Sequence, residues 1–194
     1  MVHNYTVPSP ARRLDPLAVA VLQSWHAPSV QPRTLAARGA PGVNKQEFTG
    51  ILCTLDEPSD KPPGGAQGRR VVLPSAVVRT KLASLVNMPL NASQDLTDHD
   101  RHTVVGVVQD AWIAGPRLMI AGLLYDKNEG PLVARMQANT SQLGLSYEIS
   151  SCVVVDEAAP IWVLRDFEFT GCSALLRSHA AYQSSAIEAA AAQR

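Results

Sequence analysis

Cysteine is scarce and unpaired in this sequence: Cys53, Cys152 and Cys172 are unevenly spaced and form no CxxC pair. An odd count argues against a disulfide framework and fits a reducing compartment. The expected role of all three is that of buried, unreactive small hydrophobes. Charge imbalance is also lacking. Lys plus Arg number 17, as do Asp plus Glu, so no global basic field draws in nucleic acid. No uncharged apolar run approaches the ~20 residues that a membrane span requires. Met1-Val2-His3-Asn4-Tyr5 does not supply the basic region and apolar stretch of a signal peptide. Neither nucleic acid nor membrane is an expected partner. No internal repeat is visible.

What is present is apolar enough for a core. Of 194 residues, 46% are hydrophobic, which suits one globular domain better than two. The first 45 residues differ in texture. Pro8, Pro10, Pro16, Pro28, Pro32 and Pro41 remove backbone donors and fix φ, which suits an extended arm. One short helix is expected within it, around Leu17–Leu22. Three segments follow from this reading: a proline-rich arm over 1–45, a folded domain over 46–183 and an alanine-rich tail over 184–194. The tail is expected to be helical where ordered, with little apolar surface to bury.

Within the domain the signals are mostly those of strands. Phe48–Leu55 and Arg70–Leu73 read as strands separated by a loop of turn formers, Pro58–Gly68. Pro74 and Ser75 open a helix on which Val78, Leu82 and Leu85 recur at helical spacing. Asn87–Arg101 reads as a polar loop. Thr103–Ile113 and Arg117–Leu124 read as a hairpin turning through Ala114-Gly115-Pro116. Asn128-Glu129-Gly130-Pro131 starts a second helix with Leu132, Val133 and Met136 on its apolar side. Leu143–Val155 and Ile161–Leu176 form a further long antiparallel pair. This order predicts an α+β fold: a β-rich single domain, mostly an antiparallel closed sheet or barrel, with two or three flanking helices.

The chemistry-bearing residues are few. On the strand from Leu143, alternation sends Leu143, Leu145, Tyr147 and Ile149 to one face and Gly144, Ser146, Glu148 and Ser150 to the other. The second face is small and polar, which suits a hydroxyl on the floor of a groove; it equally suits a solvent-facing serine. A serine hydroxyl is a weak nucleophile until a base activates it. His99, in the segment Asp95-Leu96-Thr97-Asp98-His99-Asp100-Arg101-His102, is a base candidate at the end of a loop, with Asp98 and Asp100 beside it. The segment also reads as a solvated loop, or as a metal site using His99, His102 and the aspartates. Its spacing matches neither an EF-hand loop nor an HExxH helix. A histidine that acts as base needs a third group to orient it. Asp166 and Glu168 share one face of the strand that carries Phe167 and Phe169; they fit that role or an ion pair with Arg165, Arg177 or Lys127.

From about Phe48 to Tyr182 the order of these pieces resembles the capsid maturation (prohead) proteases of tailed phages, which share the herpesvirus assemblin fold. The pieces are a first strand containing Gly50, Asp98-His99-Asp100 followed by Val105-Gly106-Val107, and a hairpin ending Gly122-Leu123-Leu124. A helix, the serine strand Leu143-Gly144-Leu145-Ser146, and Phe167-Glu168-Phe169-Thr170-Gly171 leading to Ala180-Ala181-Tyr182 complete the series. The family's serine is typically followed by Ile-Gly and a bulky residue, where Tyr147-Glu148-Ile149 stands here. Glu168-Phe169-Thr170 loosely matches the family's Glu-Val-Ser. The resemblance implies a serine endopeptidase with no cofactor and no metal. Ser146 would be nucleophile and His99 base, with Glu168 as orienter, Asp166 in reserve and backbone donors near Arg165. Its partners would be the major capsid protein or a scaffold protein, in a homo-oligomer or on the capsid. Its place would be the host cytoplasm, within or on the viral procapsid or virion. The alternative is a catalytically inactive capsid subunit, decorating or stabilising the shell on the same fold.

Overall fold

The computed structural model describes residues 46–189. The proline-rich arm and residues 190–194 lie outside the described residues, with the short helix expected in the arm. The elements, in chain order, are β1 (Gln46–Thr54), β2 (Arg70–Val72), α1 (Ser75–Leu85), β3 (Pro89–Asn91), β4 (Val104–Ala114) and β5 (Arg117–Leu124). Then come α2 (Gly130–Ala138), a 3-10 turn (Thr140–Gln142), β6 (Leu143–Val154), β7 (Ile161–Leu176) and β8 (Ala186–Ala189). The eight strands build one curled sheet, a half-barrel with two helices, as the α+β expectation requires. Pairing runs antiparallel in β6–β7, β3–β4, β4–β5, β5–β1 and β1–β8. β2 and β3 join β7 in parallel, so the sheet is mixed.

The predicted periodicities find physical partners. The β4–β5 hairpin turns at Gly115, whose φ of 57° an L side chain tolerates poorly. In α1, Val78 and Leu85 are buried and Leu82 is half-buried against the core, while the Asp56 carboxylate accepts the Ser75 N–H at 2.8 Å at the helix start. In α2, Leu132, Val133 and Met136 are all buried. The core fills the curl of the sheet with Phe48, Leu52, Leu118, Ile120, Leu124, Phe167 and Phe169. The last two rings stand edge to face at 5.0 Å.

Two elements depart from expectation. Pro89–Asn91, inside the expected polar loop, is a three-residue strand between β4 and β7. In the alanine-rich tail, Ala186–Ala189 is a strand and not a helix. It pairs with β1, buries Ile187, and is preceded by a Ser184–Thr54 hydroxyl contact of 2.7 Å. An open sheet edge and a place for one isoleucine outweigh alanine's helix preference. The sheet therefore continues past residue 183.

The curl brings the first residues of β6 against β8. A Cβ on Gly144 would lie 2.4 Å from Ser185 Oγ, and one on Gly50 would meet Leu145 Cδ1 at 2.4 Å and the Ala186 carbonyl at 2.5 Å. Two side-chain-free positions thus let three strands approach closely.

Candidate functional site

A cleft of about 560 Å³ opens along β6 and takes Ser146, Glu148, Ile149 and Cys152 from that strand. From Ser146 to Cys152 is six steps along the strand, roughly 20 Å at ~3.3 Å each, so the cleft is long. Thr97, Asp98, His99 and Arg101 form one wall; Val71, Trp162 and Leu164 form the apolar end. Arg69 lies over the Trp162 ring, 5.0 Å from its centroid. The loop Lys61–Ala66 borders the opening. It is tied to the segment after β7 by N–H bonds from Asp60 and Lys61 to the Ala181 carbonyl, at 2.9 and 3.2 Å, and by Lys61 Nζ on the Ser178 carbonyl.

The loop carrying His99 is held by its own polar side chains. Ser93 donates to Asp95 at 2.8 Å, and the Thr97 hydroxyl donates to the other Asp95 oxygen at 2.7 Å. These hydroxyl bonds, with the Thr97 N–H, draw the Asp95 carboxyl down to about 2. Leu96 adopts a positive φ of 61°, yet its side chain is buried and its carbonyl accepts the Leu176 N–H at 2.7 Å. A bulky residue in that conformation is strained, and tertiary packing holds it there. Arg135 of α2 reaches the Gln94 carbonyl.

The aspartates flanking His99 serve the backbone. Asp98 accepts the His99 N–H at 2.7 Å, and Asp100 accepts the His102 N–H at 2.9 Å and the Thr103 hydroxyl at 2.7 Å. Neither meets the His99 ring. That ring meets Glu148: Nδ1 lies 3.2 Å from Oε1. Arg101 Nε holds Oε2 at 2.8 Å, from a side chain that is 73% exposed against 6% for Glu148. Asn91 Nδ2 and Ser173 Oγ also donate to Oε1, each at 3.3 Å. Burial alone would raise the Glu148 carboxyl; the hydrogen bonds from His99 and Asn91 and the charges of His99 and Arg101 outweigh it and hold it below the usual carboxylate range.

The structure therefore brings Ser146 and His99 into one cleft and adds Glu148. The Ser146 side chain, half-buried, makes no hydrogen bond to His99. His102 is exposed and does not line the cleft. Glu168 and Asp166, the expected orienters, are elsewhere: Lys81 of α1 binds them at 2.7 and 2.8 Å, and both are more than half exposed. Strand alternation does place the two carboxylates together, but the neighbour on that face is a helix lysine and not the imidazole. Arg165 does not line the cleft. Glu148 was legible in the pattern, since a period of two sets it on the same face as Ser146. The cysteines also divide. Cys53 and Cys172 are buried, whereas Cys152 is exposed at the cleft; desolvation pushes all three thiols up.

No family model matches the chain, and no curated protein matches it. Among solved structures it is similar to the capsid assembly protease of bacteriophage T4, at 12% identity and a TM-score of 0.41. That match covers 69% of this chain and 99% of the other. No helix among the described residues is long and apolar enough to cross a membrane.

Proposed function

We propose that the chain is a serine endopeptidase in which Ser146 is the nucleophile, His99 the general base and Glu148 the group that orients the base. The observation that carries this reading is the 3.2 Å contact of His99 Nδ1 with a buried, ionised Glu148, two residues from Ser146 on the strand flooring the cleft. A carboxylate only accepts, so Nδ1 carries the proton and Nε2 presents a lone pair. As a peptide carbonyl enters, Ser146 Oγ attacks its carbon and passes its proton to Nε2. The imidazolium, stabilised by Glu148, then protonates the departing amine, leaving an acyl-enzyme that water hydrolyses by the reverse transfers. The length of the cleft fits an extended polypeptide, and its Trp162 end fits an apolar side chain. The resemblance of residues 48–182 to prohead proteases supports reading this chemistry as phage capsid maturation, with capsid or scaffold protein as the proposed substrate.

A second reading, a shell subunit on the same fold without chemistry, is favoured by one observation: no hydrogen bond links Ser146 to His99. One experiment separates the two. The chain is co-expressed with its capsid protein, with and without Ser146→Ala, and the products are mapped by mass spectrometry. Fragments that disappear with Ser146→Ala support the peptidase; the same fragments in both, or none in either, favour the shell subunit.

A further inference from the structure

We infer that Asn91 and Ser173 are positioning residues that fix the Glu148 carboxylate under His99, an inference that rests on the peptidase reading for its catalytic meaning. Both are buried, at 2% and 0% exposure, and both donate to Oε1, the oxygen that meets the imidazole. Oε2 is left to the exposed Arg101. Without the two buried donors, the carboxylate has its strongest partner on the solvent side and is free to turn toward it.

The local architecture is built for this hold. Ser173 is the Cα partner of Ser146 across the β6–β7 ladder, so its side chain shares the site's face. Gly171 is the partner of Glu148, and a Cβ there would meet Oε2 at 3.5 Å, an ordinary van der Waals contact, so the carboxylate lies against this rung of β7. Asn91 sits at an irregularity in the β3–β4 pairing, and its Oδ1 is buried with no hydrogen-bond partner among the described residues. An orphaned buried acceptor is a cost in a folded protein. Rotating the amide would set that oxygen against Glu148 Oε1, acceptor against acceptor. The amide therefore keeps its N–H on Glu148 and leaves its carbonyl unpaired. That choice is explained by what the N–H does at the carboxylate.

The test uses the full chain and two readouts. The first is the NMR signal of the His99 Nδ1–H proton, which is expected to be slowly exchanging in wild type. It should broaden or vanish in Asn91→Leu and in Ser173→Ala, and persist in Ser173→Thr, which keeps the hydroxyl. The second is the rate at which a fluorophosphonate probe labels Ser146, expected to fall about 10²-fold in the first two variants and recover in Ser173→Thr. Unchanged Nδ1–H exchange in both would overturn the inference, whatever their melting temperatures. If wild type takes no label at Ser146, the peptidase reading fails while the NMR comparison still decides the positioning role. Should Asn91→Leu not fold, Ser173→Ala and Ser173→Thr carry the test alone.

Discussion

Lys81 Nζ lies 2.7 Å from Glu168 Oε1 and binds Asp166 as well, tying α1 to the edge-exposed face of β7. The aspartate and glutamate draw the lysine up from its ordinary value, and the lysine draws Asp166 down. Exposed pairs of this kind contribute little and are screened by salt. Glu168→Gln should therefore leave probe labelling of Ser146 unchanged and lower the melting temperature only slightly, with the difference shrinking at high salt. A loss of labelling in Glu168→Gln would return the orienting role to that residue.

Glu148→Gln should behave otherwise. The amide can turn an N–H toward His99, which removes the preference for the Nδ1-protonated ring, and labelling should fall by ~10²–10⁴-fold. The measurement is the second-order labelling rate at neutral pH, with the fold checked by circular dichroism.

The same carboxylate makes a pH prediction. Its folded-state value lies below its unfolded value, about 4.3 for a free glutamate, so the folded state favours the ionised form. The stability it contributes is fully present above the unfolded value and is lost as pH falls through the depressed folded one. Denaturation midpoints of wild type and Glu148→Gln should thus run parallel above about pH 5.5 and converge in acid. Parallel curves down to pH 3 would show that Glu148 is not held as described.

Gly50→Ala tests the closure of the curl. The added methyl meets the Ala186 carbonyl at 2.5 Å as well as the movable tip of Leu145. Overpacking of this kind typically costs ~1–3 kcal/mol. A urea midpoint shifted by that amount, with faster amide exchange in β8, is the expected result.

Truncation after Gln183 removes β8, opening the β1 edge and the site filled by Ile187. An unpaired edge next to a core strand invites association. The shortened chain should melt lower and self-associate in light scattering, whereas loss of a dispensable tail would change neither.

Where residues repeat with a clear period, the sequence was a sufficient guide. Leu132, Val133 and Met136 on α2 and the alternating Phe167 and Phe169 on β7 lie where their spacing puts them. β3 was not legible, because three residues beginning with a proline hold too little pattern and its strand character comes from β4 and β7 on either side. β8 was hidden by alanine, whose helical preference yields to an available edge. Alternation identified the face of Asp166 and Glu168 but not what covers it; Lys81 approaches from a helix 85 positions earlier than Asp166. Cys152, expected to be buried, is exposed, in a stretch where β6 is irregular between Ser150 and Val153 and Ser151 takes a positive φ of 53°. Glu148 stood in plain view beside Ser146, and only the folded loop from Ser93 to Asp100 reveals its partner.

That loop leaves and rejoins the sheet at one rung, since Asn91 and Val104 are Cα partners and the Ala92 N–H meets the Thr103 carbonyl at 3.1 Å. Lengthening or shortening the excursion would alter the height of the imidazole without moving a ladder hydrogen bond. Within the excursion Leu96 is the fixed point, buried and bonded to Leu176, so the imidazole's height is set by the few residues between that anchor and the returning strand.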